Sequence, residues 1–141
     1  MIVVSEEQSN AMRAHGERDY PYECCGLMFG RFEDGRKNVL ETYPISNARE
    51  EAAKRNRFLI RPDELMHGEK YARGKGLDVV GFYHSHPDDA AVPSQYDLEH
   101  AWPTYSYIVV AVKEGHAADL RSWEMESDRS TFTEEQIEVT S

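Results

Sequence analysis

The sequence predicts an α/β fold in which one mixed β-sheet is flanked by helices. Residues 77–86 and 105–112 are long apolar segments rich in valine and aromatic residues, as expected of buried strands. Segments with helix-start signals lie between the strand-like segments. Strands and helices follow one another irregularly along the chain. This order favours a mixed sheet with helices on its faces over a repeated strand–helix unit.

Three segments carry helix signals. Ser5 and Gln8 form a capping box that begins the first helix. Pro62 suits the first turn of a second helix, because its fixed φ and missing N–H are tolerated there, and the glycines of residues 74–76 end it. Ser94 is an N-cap residue and predicts a short third helix. We therefore expect three helices separated by strands.

The remaining segments are shorter or more polar. We expect strands at residues 25–31, 38–43, 58–60 and 120–125, an exposed loop at residues 44–57 with a possible helical turn at 49–54, and either an edge strand or a frayed tail at residues 127–141. Asp34-Gly35 is a turn signal and predicts that the first two strands pair as a hairpin.

Length and composition restrict the class of protein. A chain of 141 residues suits one domain, here residues 1–141 with a tail after about residue 126 at its periphery. The chain carries 26 acidic and 16 basic residues and a net charge of −10, which disfavours a nucleic-acid partner. No apolar run reaches the ~20 residues of a membrane span, so we expect no membrane association and a cytoplasmic location. The sequence does not indicate an oligomeric state.

Cys24 and Cys25 are the only cysteines, and they are adjacent. Adjacent cysteines form neither a disulfide framework nor a C-x-x-C metal or redox pair. No base is indicated for a cysteine nucleophile, and buried structural thiols are the commoner case. We therefore expect both residues to be reduced thiols.

His84 and His86 lie one residue apart at the end of the buried segment 77–86. Side chains two positions apart leave the same face of a strand, with Cα atoms about 6.5 Å apart, so both imidazoles can converge on one metal ion. Catalytic zinc sites use three protein ligands and leave a fourth position for water, so two histidines are an incomplete site. The pattern also fits two ordinary histidines at a strand end.

Asp97 lies eleven residues after His86, beyond a loop and the start of the short helix. A tight return of the chain can bring its carboxylate back to the strand end, which makes it the natural third ligand. Ser94 and Asp97 also fit a plain capping box, which satisfies amide donors at a helix start. Both explanations can hold together, because a cap fixes the helix start and thereby orients the aspartate.

These motifs carry a family resemblance. His84-Ser85-His86-Pro87, six residues, and then Ser94-Gln95-Tyr96-Asp97 resemble the His-x-His-Pro and Ser-x-x-Asp pattern of the JAMM (MPN-type) zinc metallopeptidases. Residues 21–27 look like the upstream segment that bears a glutamate in short bacterial and archaeal members, and Glu23 is the match. The resemblance covers about residues 2–125. It implies a mixed-sheet, cytidine-deaminase-like fold with one zinc ion (Zn2+) per chain.

The resemblance also implies roles for individual residues. His84, His86 and Asp97 would hold zinc, and Glu23 would accept a proton from water and deliver it to the leaving amine. Ser94 would donate a hydrogen bond to the oxyanion of the tetrahedral intermediate. Capping is the competing explanation for Ser94, and a solvated side chain is the ordinary explanation for a lone glutamate after proline.

The implied activity is hydrolysis of a peptide or isopeptide bond after the C-terminal Gly-Gly tail of a ubiquitin-like or sulfur-carrier protein. The basic residues of the 44–57 loop are candidates for contacts with that tail, although a solvated variable loop explains them equally well. One alternative is a non-catalytic MPN-like interaction domain. Such domains arise when metal ligands are lost, whereas every ligand position is filled here. A zinc-dependent base deaminase would need His-x-Glu and Pro-Cys-x-x-Cys segments, which are absent.

Overall fold

The computed structural model of the protein describes residues 1–47 and 60–141. In chain order these residues form β1 (Ile2–Ser5), α1 (Glu6–Asp19), β2 (Cys25–Glu33), β3 (Arg36–Ile45), α2 (Pro62–Gly74), β4 (Asp78–Pro87), α3 (Gln95–His100), β5 (Ser106–Lys113), β6 (His116–Met125), β7 (Phe132–Glu135) and β8 (Ile137–Thr140). The strands make one sheet in the order β7-β6-β5-β4-β2-β3-β1-β8. β4 pairs antiparallel with β2 and parallel with β5, so the sheet is mixed, as predicted.

The three predicted helices are confirmed, and two of them begin with the expected caps. In α1 the Gln8 N–H donates to Ser5 Oγ at 3.0 Å, and the Ser5 N–H donates to Gln8 Oε1 at 2.9 Å. α2 has Pro62 at its first position, and α3 begins after the N-cap residue Ser94. Each cap satisfies amide donors that have no partner inside the helix, so the helix starts are defined by local chemistry.

The hairpin around Asp34-Gly35 is confirmed, but β3 extends further than expected. Pro44 and Ile45, predicted to begin a loop, pair with the first residues of β2, and the Ile45 side chain is buried. The rest of the predicted loop and most of the predicted strand at 58–60 lie outside the described residues. Of that strand only Ile60 is described, and it is not in a strand.

The sheet separates two apolar layers. α1 covers one face, where Met28, Tyr83 and Val110 are fully or almost fully buried. α2 and α3 lie on the other face, which carries Leu27 and Phe82. Alternate residues of β4 therefore point to opposite layers, as strand geometry requires. The histidines near the end of this strand share the face of Phe82.

Residues 127–141 contribute the two strands at the edges of the sheet. β7 pairs antiparallel with β6 at one edge, and β8 pairs parallel with β1 at the other. Only Gln136 separates these two strands in sequence. The C-terminal segment of the chain thus reaches both edges of the sheet.

Among residues 1–47 and 60–141, no helix is both long enough and apolar enough to cross a membrane.

Candidate metal centre and active site

Strand pairing brings three separate segments to one end of the sheet. β2 runs antiparallel to β4, and its first residue, Cys25, lies opposite His84. The start of β2 is therefore beside the end of β4. Glu23 lies two residues before Cys25, so its side chain is on the same face as that of Cys25, which is the face of His84 and His86. The loop after β4 returns through α3 and adds Asp97 from the side.

Two imidazole nitrogens and one carboxylate oxygen form an equilateral triangle. His84 Nε2, His86 Nε2 and Asp97 Oδ2 are each 3.2 Å from the other two. All three residues are buried, and among the described residues they form the one cluster whose ligand atoms are close enough to hold a metal ion. The structure thus brings together the three ligands that the sequence predicted.

This triangle fits a tetrahedral metal ion. An ion at the centre of a tetrahedron with edges of 3.2 Å lies about 2.0 Å from each corner, which is the distance at which zinc binds histidine nitrogen and carboxylate oxygen. The donor set is two neutral nitrogens and one anionic oxygen, with a fourth position left for water or substrate. The residues present are therefore suited to a catalytic metal site.

Neighbouring backbone groups orient these ligands. His86 Nδ1 lies 2.9 Å from the carbonyl oxygen of Ala90, so Nδ1 carries the proton and Nε2 is left to bind the ion. The Ser94 N–H donates to Asp97 Oδ2 at 2.8 Å, and the Asp97 N–H donates to Ser94 Oγ at 3.1 Å. The capping box is present, and the same geometry leaves Asp97 able to serve as a ligand.

The charged state of the cluster follows from the same contacts. Burial by itself raises the pKa of Asp97, but the nearby charge of His84 and hydrogen bonds from His84, His86 and Ser94 hold that pKa well below its usual range. Burial lowers the pKa of His86, whereas its bond to Asp97 and the charge of Glu23 raise it above the ordinary value. Asp97 therefore supplies a fixed negative charge to a cation bound here.

Glu23 is buried beside the triangle, with 3% of its surface exposed. Burial raises the pKa of its carboxyl to about 8, with further increases from the charges of Asp97 and Asp89. Within the described part of the chain its Oε1 has no hydrogen-bond partner. A buried carboxyl with a pKa near neutrality and an available oxygen is suited to accept and return a proton.

The position of Glu23 is fixed by two contacts that the sequence does not indicate. Asn47 Nδ2 donates to the Glu23 carbonyl oxygen at 3.0 Å, and the Cys24 N–H donates to Ser85 Oγ at 2.8 Å. These contacts join residues 24 and 61 positions apart in the chain. No local pattern signals such pairs, so only the folded structure shows them.

Cys24 and Cys25 are buried free thiols behind Glu23. Burial raises the pKa of Cys24 to about 12 and that of Cys25 above its usual range. Both sulfurs therefore stay protonated at neutral pH and do not have the properties of a cysteine nucleophile. The prediction that both residues are reduced thiols is confirmed.

A cavity of about 570 Å³ adjoins the metal centre between α2, α3 and the sheet. His84 and Asp97 lie at one end of it, and the rings of Phe82 and Tyr107 form part of its wall. Sequence patterns do not reveal this cavity, because its wall combines residues from several elements.

Comparison with known proteins agrees with this geometry. The family described as prokaryotic homologs of the JAB domain matches residues 5–126. The chain is 37% identical to a desampylase of Haloferax volcanii over 64% of this chain and 63% of that protein, so the match spans less than two thirds of the relative. It is 30% identical to a CysO-cysteine peptidase of Mycobacterium tuberculosis over 99% of this chain and 91% of that protein.

A solved structure is similar over almost the whole chain. The solution structure of a Desulfitobacterium hafniense protein has a TM-score of 0.86 and 29% sequence identity, and the match covers 99% of this chain and 93% of that protein. The family match covers the metal centre, Glu23 and all elements from α1 to β6. The chain therefore belongs to the prokaryotic JAB (JAB1/MPN) domain family.

Proposed function

We propose that this protein is a zinc-dependent metallopeptidase that hydrolyses a peptide or isopeptide bond after the C-terminal Gly-Gly tail of a ubiquitin-like or sulfur-carrier protein. The observation that carries the proposal is the 3.2 Å triangle of His84, His86 and Asp97 with the buried carboxyl of Glu23 beside it. Neither a capping box nor a pair of packing histidines would by itself explain why these side chains meet at one point.

The residues divide the chemistry between them. When bound, zinc lowers the pKa of a coordinated water towards 7 and polarises the scissile carbonyl. Glu23 takes a proton from the attacking water and later gives it to the leaving amine. Its burial keeps water from competing for that proton, and its raised pKa allows the protonated form to persist near neutral pH.

Ser94 is the candidate for oxyanion stabilisation. Its Oγ accepts the Asp97 N–H, and this leaves the hydroxyl hydrogen available to donate. Ser94 is exposed and lies beside Asp97, so a substrate carbonyl that approaches the metal site can meet its hydroxyl. One residue can thus cap α3 and contribute to catalysis.

The relatives support the substrate class. One is named a desampylase and another a CysO-cysteine peptidase. Both names denote removal of a group from a partner molecule rather than general protein digestion.

The direct test uses a ubiquitin-like carrier extended beyond its terminal Gly-Gly by a short peptide. Zinc-loaded enzyme should release the extension, and mass spectrometry of the products should place the cut after the second glycine. Glu23→Gln should lower the rate about 10²–10⁴-fold, the usual contribution of a positioned base. Glu138→Gln, on an exposed residue of β8, is the matched control and should keep the wild-type rate.

Cleavage at another position would contradict the proposed substrate class. An unchanged rate in Glu23→Gln would remove that residue from the mechanism, whatever the site of cleavage.

A further inference from the structure

An aromatic surface lines the cavity beside the metal centre. Phe82 stacks on Tyr107 with ring centroids 5.5 Å apart and meets Tyr105 edge to face at 5.3 Å. The cavity volume of about 570 Å³ lies within the range of about 300–1,000 Å³ found for natural ligand sites. The carboxylates that line it, Asp97 and Glu69, would repel an acidic occupant. This chemistry favours a bulky, uncharged apolar group.

Trp102 lies at the mouth of the cavity with 63% of its surface exposed. Its backbone N–H donates to Tyr107 Oη at 2.8 Å, which ties it to the aromatic wall. The Arg129 guanidinium lies over its ring, 5.0 Å from the centroid, and donates to the Ala101 carbonyl oxygen at 2.7 Å. These contacts hold a large aromatic side chain in solvent, where it is available to cover an incoming ligand.

Arg129 comes from the turn between β6 and β7. It lies after residue 126, where the family match ends. The position of Trp102 therefore depends on a segment of this chain that the family description does not include. A feature of this kind is suited to adjusting substrate preference on a shared catalytic centre.

The cavity extends along β4 from His84 back to Val79. The six residues from Val79 to His84 span about 16 Å, so an extended substrate segment of about the same number of residues fits along it. If two glycines of the substrate lie next to the metal centre, the residue that precedes them lies farther along β4. Its side chain would then contact the aromatic wall. The length of the cavity thus matches a tail whose bulky residue precedes two glycines.

We propose that Trp102, held by Arg129, forms with this cavity a specificity pocket for a bulky apolar side chain on the acyl side of the cleaved bond. The proposal rests on the proposed function, because it assumes a polypeptide substrate that enters the site in extended form. Trp102 covers the bound side chain, and Arg129 is a positioning residue.

Binding can be measured apart from catalysis in Glu23→Gln protein. The chain has two tryptophans, so Trp123→Phe leaves Trp102 as the only reporter. The probes are N-acetylated pentapeptide amides that end in Gly-Gly and carry leucine, phenylalanine or aspartate at the third position from the end. We expect a saturable blue shift of Trp102 emission with the leucine and phenylalanine peptides and none with the aspartate peptide.

Trp102→Phe, which retains Trp123, is the matched control and should show no shift. Equal shifts with all three peptides, or no shift with any, would overturn the specificity pocket. A shift that follows protein concentration without peptide would identify a second copy of the chain as the occupant and would also overturn it.

Kinetics test the role of Arg129 in zinc-loaded enzyme with Glu23 intact. Trp102→Ala and Arg129→Met should raise KM for a leucine-bearing carrier about tenfold with little change in kcat, and Arg129→Lys should restore part of the loss by keeping a cation over the ring. Leu40→Ala, at an exposed apolar residue of β3 that does not line the cavity, should change neither constant. Unchanged KM in both Trp102→Ala and Arg129→Met would contradict the proposal.

The two proposals fail in different ways. Peptide binding without any carrier cleavage would support the specificity pocket and contradict the proposed peptidase activity. Carrier cleavage that does not change with substitution of Trp102 or of the third substrate residue from the end would support the peptidase activity. The same result would contradict the specificity pocket.

Discussion

At the scale of single residues, Ser94 is an N-cap residue for which we also propose a catalytic role, and one hydroxyl can perform both functions. Its oxygen accepts the Asp97 N–H as an N-cap, and its hydrogen can point towards a substrate oxyanion. The cap also orients the Asp97 carboxylate, because the Ser94 N–H donates to Oδ2. Substitutions that retain one function and remove the other can separate the two.

Ser94→Ala should lose both functions, which predicts a loss of about 1 kcal/mol in the free energy of unfolding and a fall of about 10²–10³ in kcat. Ser94→Thr should retain most of both. Ser94→Asp should restore the cap and stability, since aspartate is a strong N-cap, but not kcat, because an ionised carboxylate cannot donate. Urea unfolding and turnover of the carrier fusion measure the two effects. Recovery of kcat in Ser94→Asp would show that the serine is only a cap.

At the scale of secondary-structure elements, the ligand set was predictable because its signals are local. The two-residue period of β4 places His84 and His86 on one face, and the cap of α3 fixes Asp97. The contacts that hold Glu23 were not predictable, since they join the residues just before β2 to distant residues such as Ser85. Local periodicity indicates which face a side chain occupies but not which distant group meets it.

The end of β3 shows why one boundary was wrong. Proline usually marks the end of a strand, because it has no N–H to donate to a central ladder. β1 pairs with β3 only at Lys37 and Asn38, so within residues 1–47 and 60–141 Pro44 lies where this strand has β2 on one side and no second neighbour. At such a local edge proline is tolerated. Whether a strand can contain proline depends on which strands pair with it, and the sequence alone does not show that pairing.

At the scale of the whole molecule, a buried carboxylate links strands that are distant in sequence. Glu135 on β7 accepts hydrogen bonds from Ser106 Oγ at 2.5 Å and Ser122 Oγ at 2.9 Å, and its other oxygen lies 3.3 Å from Lys37 Nζ. Lys37 is on β3, near the opposite edge of the sheet, and also contacts Glu124 at 2.7 Å. β7 was hard to predict because much of what holds it is this polar cluster, which leaves no apolar period in the sequence.

Glu135→Ala should lower the free energy of unfolding by about 2–4 kcal/mol, because it removes the acceptor of two buried hydroxyls and one of the two carboxylates that contact the Lys37 ammonium. Urea unfolding of the metal-free protein measures this loss. Glu134→Gln, on the neighbouring residue in an exposed pair with Arg121, should change the free energy by no more than about 0.5 kcal/mol. Equal stability of the two variants would show that the cluster is not a structural link.

The central claim is that His84, His86 and Asp97 bind a catalytic zinc ion while Glu23 does not bind it. Its most direct test is the zinc content of tag-free protein after dialysis, measured by mass spectrometry under non-denaturing conditions. We expect about one zinc ion per chain in the wild type and in Glu23→Gln, and none in His84→Ala or Asp97→Ala. Folded wild-type protein that binds no zinc even after supplementation would contradict the claim and favour a non-catalytic interaction domain.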